Sequence, residues 1–227
     1  MIENPKWAIS RENRAISLFQ SSVNPSHPIV LIGGVHGDEP EGVALAEATL
    51  KWLKAESTQS KADTLCPWIV IPCLNPDGYF NNERTNGGGV DLNRNYPSRD
   101  WSPEALKPRY QPGPSAASEP EIKALVQLIK DVQPRLLIHC HSWNPCVVYA
   151  GEPARADAEA LGLSSGYEVR DDIGYPTPGS LSRYGWHDHK IPVICIEEAE
   201  KTPLKEIWPH FATGMKTIFT NHSLRAP

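Results

Sequence analysis

No apolar run in this chain approaches the ~20 consecutive residues that a membrane-spanning helix requires, so no spanning segment is expected. Met1 to Arg14 contain neither a basic start followed by an apolar core nor a small-residue cleavage site, and no secretory leader is expected. Positive charge is not in excess: the formal net charge is −5, which argues against a nucleic-acid partner. Cysteine is sparse. There are five, an odd number, at positions 66, 73, 140, 146 and 195, and none has CxxC spacing. A thiolate zinc site and a disulfide framework are both disfavoured; buried, reduced thiols of a cytoplasmic protein are expected instead. Internal repeats and low-complexity linkers are absent as well.

What is present fits one domain over residues 1–227, with 40% hydrophobic and 22% charged residues, long enough to bury a sizeable core. The 22 prolines fall mostly between apolar runs and predict many defined turns and few long helices. Strands are expected at Pro28–Ile32, Trp68–Ile71, Leu136–Ile138, Val147–Tyr149 and Pro192–Ile196. Helical patterns cover Ala44–Lys54, the stretch from Ser118 as cap through Pro120 to about Val132, and a final segment within Leu204–Thr220. Strands alternating with helices indicate an α/β domain with a largely parallel or mixed sheet. Residues 78–117 are polar and rich in Gly, Pro and Asn, and a connection that long in a compact domain is usually functional or disordered.

Four segments at strand ends can carry chemistry. Gly34-Val35-His36-Gly37-Asp38-Glu39 places a nitrogen and a carboxylate ligand candidate three residues apart, just past a buried strand. HxxE by itself is a weak signal. The long polar loop holds Asn75-Pro76-Asp77-Gly78, Arg84 and Gly89-Val90-Asp91-Leu92-Asn93-Arg94-Asn95; its arginines and amides can bind a carboxylate and polarise a carbonyl, or it is a solvated turn-rich loop. His139 and His141 share one face of a strand, so either imidazole can complete a metal site, or both are hydrogen-bonded core residues. Glu197 and Glu198 follow the last apolar run and point to opposite faces if the strand alternates, so at most one of them enters a site as general base. Jointly the segments supply three ligands, which leave zinc a fourth position open, as in catalytic sites.

In this combination and order the chain resembles the zinc carboxypeptidases of the carboxypeptidase A type, through His36-Gly37-Asp38-Glu39, Arg84, Asp91-Leu92-Asn93-Arg94-Asn95, His141-Ser142 and Ile196-Glu197. The resemblance implies a three-layer α/β/α fold with a mixed, largely parallel central sheet and one zinc ion held by His36, Glu39 and His141. The His-Ser context favours His141 over His139. It further implies that Glu197 activates water, Arg84 polarises the scissile carbonyl, Asn93 and Arg94 grip a substrate carboxylate, and Asp91 hydrogen-bonds the remaining nitrogen of His36. A closer likeness is to the murein tripeptide amidase branch, over about residues 28–200, and it includes Pro112-Gly113-Pro114-Ser115 and Gly174-Tyr175-Pro176-Thr177-Pro178-Gly179-Ser180. That branch cuts the γ-D-glutamyl–diaminopimelate bond of a small cytoplasmic peptide and implies a place for Gly179 and Ser180 near the substrate.

Two departures bear on substrate identity: the acidic Glu198-Ala199-Glu200-Lys201, and Ser182-Arg183-Tyr184, which is expected to lengthen a substrate-facing loop. His187-Asp188-His189 reads as a polar loop rather than a second metal site. The rival expectations are an N-acyl-amino-acid deacylase of the aspartoacylase or succinylglutamate desuccinylase type on the same site, and a non-catalytic binding module on the same fold. The intact glutamate at 197 argues against the latter.

Overall fold

A computed structural model describes residues 1–58 and 64–221; the remaining positions of the expected 1–227 domain lie outside the described residues. Short runs of β-branched and aliphatic residues form the centre of the sheet: β3 (Ile29–Ile32), β4 (Trp68–Ile71), β5 (Leu136–Trp143) and β8 (Val193–Ala199). All four are buried over most of their length, as expected of parallel strands covered on both faces. Among the described residues one eight-stranded sheet has the order β1-β2-β4-β3-β5-β8-β6-β7, with β1 (Ile2–Ile9), β2 (Ala15–Gln20), β6 (Cys146–Ala150) and β7 (Glu168–Arg170) completing it. Pairing is parallel from β4 through β3 and β5 to β8, and between β6 and β7; it is antiparallel for β1–β2, β2–β4 and β6–β8.

The period of two along each strand divides the core into layers. Ile29, Leu31, Leu136, Ile138, Ile194 and Ile196 pack against α1 (Pro40–Thr58), α4 (Arg155–Ser165) and α5 (Leu204–Thr220). Val30, Ile32, Leu137 and Val193 pack on the opposite face against α3 (Pro120–Val132) and the loop residues Leu92, Tyr96, Leu181 and Tyr184. The result is the expected mixed, three-layer α/β/α arrangement. No helix among the described residues is long and apolar enough to cross a membrane.

Four details correct the sequence reading. Two helices run long despite the proline content, α1 with 19 residues and α5 with 17. Prolines instead start helices, at Pro40, Pro76 and Pro120, where a missing N–H leaves no bond unmade; Pro209 is tolerated inside α5. Ser118 is not the cap of α3. Glu119 occupies that position without a side-chain cap, and the Ser118 hydroxyl donates to the Glu119 carboxylate at 2.7 Å. The 78–117 stretch is not all loop, because α2 (Pro76–Asn81) opens it and Leu92–Arg94 form a 3-10 turn. Finally, Arg183–Asp188 is a π-helical turn rather than an extended loop. The β1–β2 hairpin, α4 and β7 had no counterpart in the sequence reading.

Candidate active site

The turns that leave β3 and β4 build one wall. Asn75 caps α2 by accepting from Gly78 N at 2.9 Å, and its own N–H donates to Gly34 O at 2.8 Å. Gly34 has φ +57°, a conformation glycine adopts without strain. At Gly37 a Cβ would lie 1.9 Å from the carbonyl carbon of Gly78, so the two turns meet backbone to backbone. This contact fixes the direction in which His36 and Glu39 leave the strand.

β3, β5 and β8 are consecutive, parallel neighbours, so their C-terminal ends share an edge. At that edge His36, Glu39 and His141 are buried together. His36 Nδ1 lies 2.8 Å from Glu39 Oε1, His141 Nδ1 lies 2.8 Å from Glu39 Oε2, and the two Nδ1 atoms are 2.9 Å apart. His36 Nε2 lies 3.0 Å from Asp91 Oδ1. A neutral imidazole has one N–H. With the proton of His36 committed to Asp91, its Nδ1 presents a lone pair to another ring nitrogen and to a carboxylate, a donor set that fits a divalent cation and suits zinc.

Asp91 also accepts from Asn93 N at 2.9 Å and from Arg84 Nε at 2.9 Å, and Arg84 Nη1 donates to Glu39 Oε1 at 3.1 Å. Burial opposes ionisation of Asp91, but His36, Arg84 and Arg94 outweigh it and hold the carboxyl below its ordinary range. Burial likewise opposes the charge on Glu39, and the two imidazoles overcome it and lower its pKa well below the usual value. Glu41, which the sequence reading missed, ties the wall together by accepting from the Ser142 hydroxyl at 2.8 Å and from Lys201 N at 2.7 Å.

Glu197 pairs in register with His141 on the adjacent strand. Its nearest hydrogen-bonding contact is the Cys195 thiol, 3.4 Å away. Burial, reinforced by the charge of Glu39, pushes its carboxyl up to about 8. Glu198 faces the opposite side, as alternation requires. It is buried rather than exposed, accepting from His210 Nδ1 at 2.8 Å and from the Tyr167 hydroxyl.

His36, Glu39, His141 and Glu197 line a cavity of about 1100 Å³ that also receives Arg84, Asn93, Arg94 and Ser180. Arg94 is 3% exposed, and among the described residues no carboxylate lies within ion-pair distance of it. Its Nη1 donates to Asn93 O at 2.6 Å, while its Nε is buried without a partner. Asn93 Oδ1 accepts from Leu181 N at 3.0 Å, which leaves its amide N–H groups free to donate. Gly179 does not line the cavity. It has φ +72° and lets the turn approach Arg94 so closely that a Cβ would lie 2.2 Å from the Arg94 carbonyl oxygen. Ser180 bonds Thr177 Oγ1 at 3.3 Å.

Sequence reasoning missed Tyr110 and gave no site role to Tyr175 within its quoted motif; both line the cavity. Around the Tyr110 ring, at 4.9–5.8 Å, lie the cationic groups of Arg84, Arg94, Lys107 and Arg109. The density of basic residues over 84–109 was the available signal. His187 contacts Arg183 Nη1 at 3.3 Å and His189 packs on Tyr184; neither belongs to a metal-binding group among the described residues. His139 does belong to one, with His141 and Cys195.

Comparison with known proteins agrees with this geometry. Residues 6–204 match the model of the zinc carboxypeptidase family. The murein peptide amidase A of Vibrio campbellii is 28% identical over 191 residues, 79% of this chain and 72% of that protein. That of Escherichia coli K12 is 30% identical over 168 residues, covering 68% and 64% of the two chains, so this chain spans under two thirds of that relative's length. Among solved structures, the murein-tripeptide amidase of Escherichia coli O157 superposes with a TM-score of 0.77 at 24% identity, over 97% of this chain and 92% of the other. The carboxypeptidase A of Helicoverpa armigera gives 0.77 at 18% identity, over 98% and 69%. At those identities the superpositions establish the fold, and the family match establishes membership: the chain belongs to the zinc carboxypeptidase family, whose members hydrolyse peptide bonds with zinc.

Proposed function

We propose that this protein is a zinc-dependent amidase that cleaves a peptide bond beside a carboxylate-bearing residue. We further propose that its substrate is a murein-derived peptide cut at the γ-D-glutamyl–diaminopimelate bond, in the cytoplasm. The observation that carries the reading is the convergence, at one sheet edge, of a His36–Glu39–His141 donor set with Glu197. A buried arginine without a carboxylate partner faces the same cavity. The similarity to murein peptide amidases of Vibrio campbellii and Escherichia coli supports the substrate.

His36, Glu39 and His141 would hold the metal; when bound, zinc supplies Lewis acidity toward water and carbonyl oxygen. Glu197 takes the proton of the attacking water and returns it to the departing amine, so that the amide yields a carboxylic acid and an amine. Arg84, anchored by Asp91 through Nε and by Glu39 through Nη1, keeps Nη2 for the carbonyl oxygen on which charge develops. Arg94 and the amide of Asn93 grip the substrate carboxylate and set its orientation rather than its chemistry. Asp91 holds the His36 ring in the tautomer that leaves Nδ1 free. Gly179 acts on the substrate through the packing of its turn against Arg94, and Ser180 from the cavity wall.

The test is zinc content together with release of diaminopimelate from a γ-D-Glu–diaminopimelate peptide, measured beside release of acetate or succinate from acyl-amino acids. Glu197→Gln is expected to keep zinc and lose about 10²- to 10⁴-fold in turnover. A fully active Gln variant refutes the role of Glu197. Preference for acyl-amino acids replaces the peptide reading with the deacylase one.

A further inference from the structure

The two histidines of the donor set are braced differently. His36 leans on a carboxylate, Asp91, at 3.0 Å. His141 leans on another imidazole: its Nε2 lies 2.8 Å from His139 Nδ1, with the rings nearly perpendicular at 87° and their centroids 4.8 Å apart. That geometry lets the Nε2–H of one ring point along the in-plane lone pair of the other. Residues 137, 139 and 141 share one face of β5, so the brace is built into the strand, and His139 is 2% exposed. We propose that His139 is a positioning residue that accepts the Nε2–H of His141 and so fixes the ring whose Nδ1 faces Glu39. The proposal rests on the reading above, in which His141 and not His139 is the metal ligand.

The tautomers follow from counting protons. If His141 offers Nδ1 as a ligand, its proton must sit on Nε2 and needs an acceptor. Besides His139 Nδ1, no protein atom among the described residues is within hydrogen-bonding distance of it. His139 must then carry its own proton on Nε2, an atom that is buried without any hydrogen-bond partner. A buried donor in this state is normally avoided. Its presence here is what the brace requires, because moving that proton to Nδ1 would set two N–H groups against each other.

A neutral brace also has an electrostatic consequence. A carboxylate at position 139 would orient His141 equally well, as Asp91 orients His36, but it would bring one more negative charge to a cavity wall that already holds Glu39 and Glu197. An imidazole supplies the acceptor without the charge.

Two variants separate the acceptor from the bulk. In His139→Asn the side-chain oxygen can take the place of Nδ1, whereas His139→Leu fills the space and accepts nothing. Zinc affinity is read by competition with a chromophoric chelator, and folding of the metal-free protein by circular dichroism. His139→Leu is expected to fold and to bind zinc about 10- to 100-fold more weakly, with most of the affinity restored in His139→Asn. Zinc binding by His139→Leu at wild-type strength overturns the proposal, as does a His139→Asn variant no better than Leu. The tautomers can be read in the unmutated, zinc-loaded protein by nitrogen-15 NMR of the imidazoles, with both rings expected to be protonated at Nε2. A His139 ring protonated at Nδ1 overturns the proposal without any variant. If His141→Leu keeps zinc and His139→Leu loses it outright, the ligand assignment itself fails.

Discussion

Gly37→Ala tests whether the backbone contact between the two turns places the site. The added methyl would sit 1.9 Å from the Gly78 carbonyl carbon, 2.2 Å from its oxygen and 2.2 Å from Tyr79 N. Ordinary carbon contacts start at about 3.4 Å, so one turn must retreat by roughly 1.5 Å, and because every obstructing atom is backbone no rotamer change can relieve the clash. Either retreat damages the site. Moving the 36–39 turn displaces His36 and Glu39, while moving Gly78 disturbs its bond to Glu83 N, 2.9 Å long, and with it the approach of Arg84. Overpacking of this kind costs about 1–3 kcal/mol, which for a chain of this size lowers the melting temperature by roughly 2–12 °C. A catalytic group misplaced by ~1 Å costs about 100-fold in rate. The assays are calorimetry, chelator competition for zinc, and kcat/KM. Gly166→Ala is the control: Gly166 ends α4 at φ +77° and a Cβ added there would meet nothing within 4 Å, so it should lose stability and leave zinc affinity intact. If Gly37→Ala binds zinc and turns over as the wild type does, the contact does not position the ligands.

Three further outcomes are expected. In metal-free protein the Glu197 carboxyl, at about 8 against an ordinary 4.5, keeps a proton that the unfolded chain has lost, so this group removes stability as pH rises from 4.5 toward 8. At about 1.4 kcal/mol per pH unit, Glu197→Gln should gain roughly 3 kcal/mol on the wild type between pH 5 and pH 8 in chelator-treated urea titrations; parallel pH profiles would contradict the shift. Asn95→Ala should cost about 3 kcal/mol or more by the same titrations, because the fully buried amide donates to Pro112 O, Ser115 O and Ser118 Oγ while its oxygen accepts from Glu119 N. Arg94→Gln should raise KM for a carboxylate-bearing peptide more than it lowers kcat, since a grip made equally in ground and transition states is what it removes; an unchanged KM would assign the carboxylate to another residue.

The central strands were legible because their composition allows little else. Ile29–Ile32 and Trp68–Ile71 are short, apolar and buried on both faces, and turn residues bound them. The N-terminal hairpin was not legible: no residue of β1 is buried and its pattern, Ile-Glu-Asn-Pro-Lys-Trp-Ala-Ile, shows no clean alternation. What holds it is remote. Asp77, beyond β4, accepts from Ser10 Oγ at 2.6 Å and from Glu12 N at 2.9 Å, bonds that no local pattern announces. Ser118 was misread for a similar reason, since Asn95, 23 positions earlier, claims its hydroxyl as an acceptor at 3.0 Å. For the site, the residue types and their strand-end positions were readable; alternation places His139 and His141 on the same face, so the choice of His141 rested on the resemblance alone. Their neighbours differ: His141 Nδ1 meets Glu39 and His36, whereas the hydrogen-bonding contact of His139 is His141, with Cys195 nearby.

The spatial order of the strands explains why residues so far apart in the chain assemble. β3, β5 and β8 are parallel and adjacent, so the turn after Ile32 and the C-terminal halves of β5 and β8 come together at the same edge. One face of that edge receives His36, His141 and Glu197, and the register His141↔Glu197 sets the carboxylate beside the imidazole without any loop having to be placed. The arginines and amides of the cavity come by another route. Arg84, Asp91, Asn93 and Arg94 lie on the connection between β4 and α3, anchored by Asn75, Asn86 and Asn95 through buried amides. In the proposed reading Glu197, on its strand, and Asn93 and Arg94, on the pinned loop, imply separable failure. Changes at His141 or Glu197 should abolish metal binding or turnover, whereas changes at Asn93 or Arg94 should alter substrate affinity first.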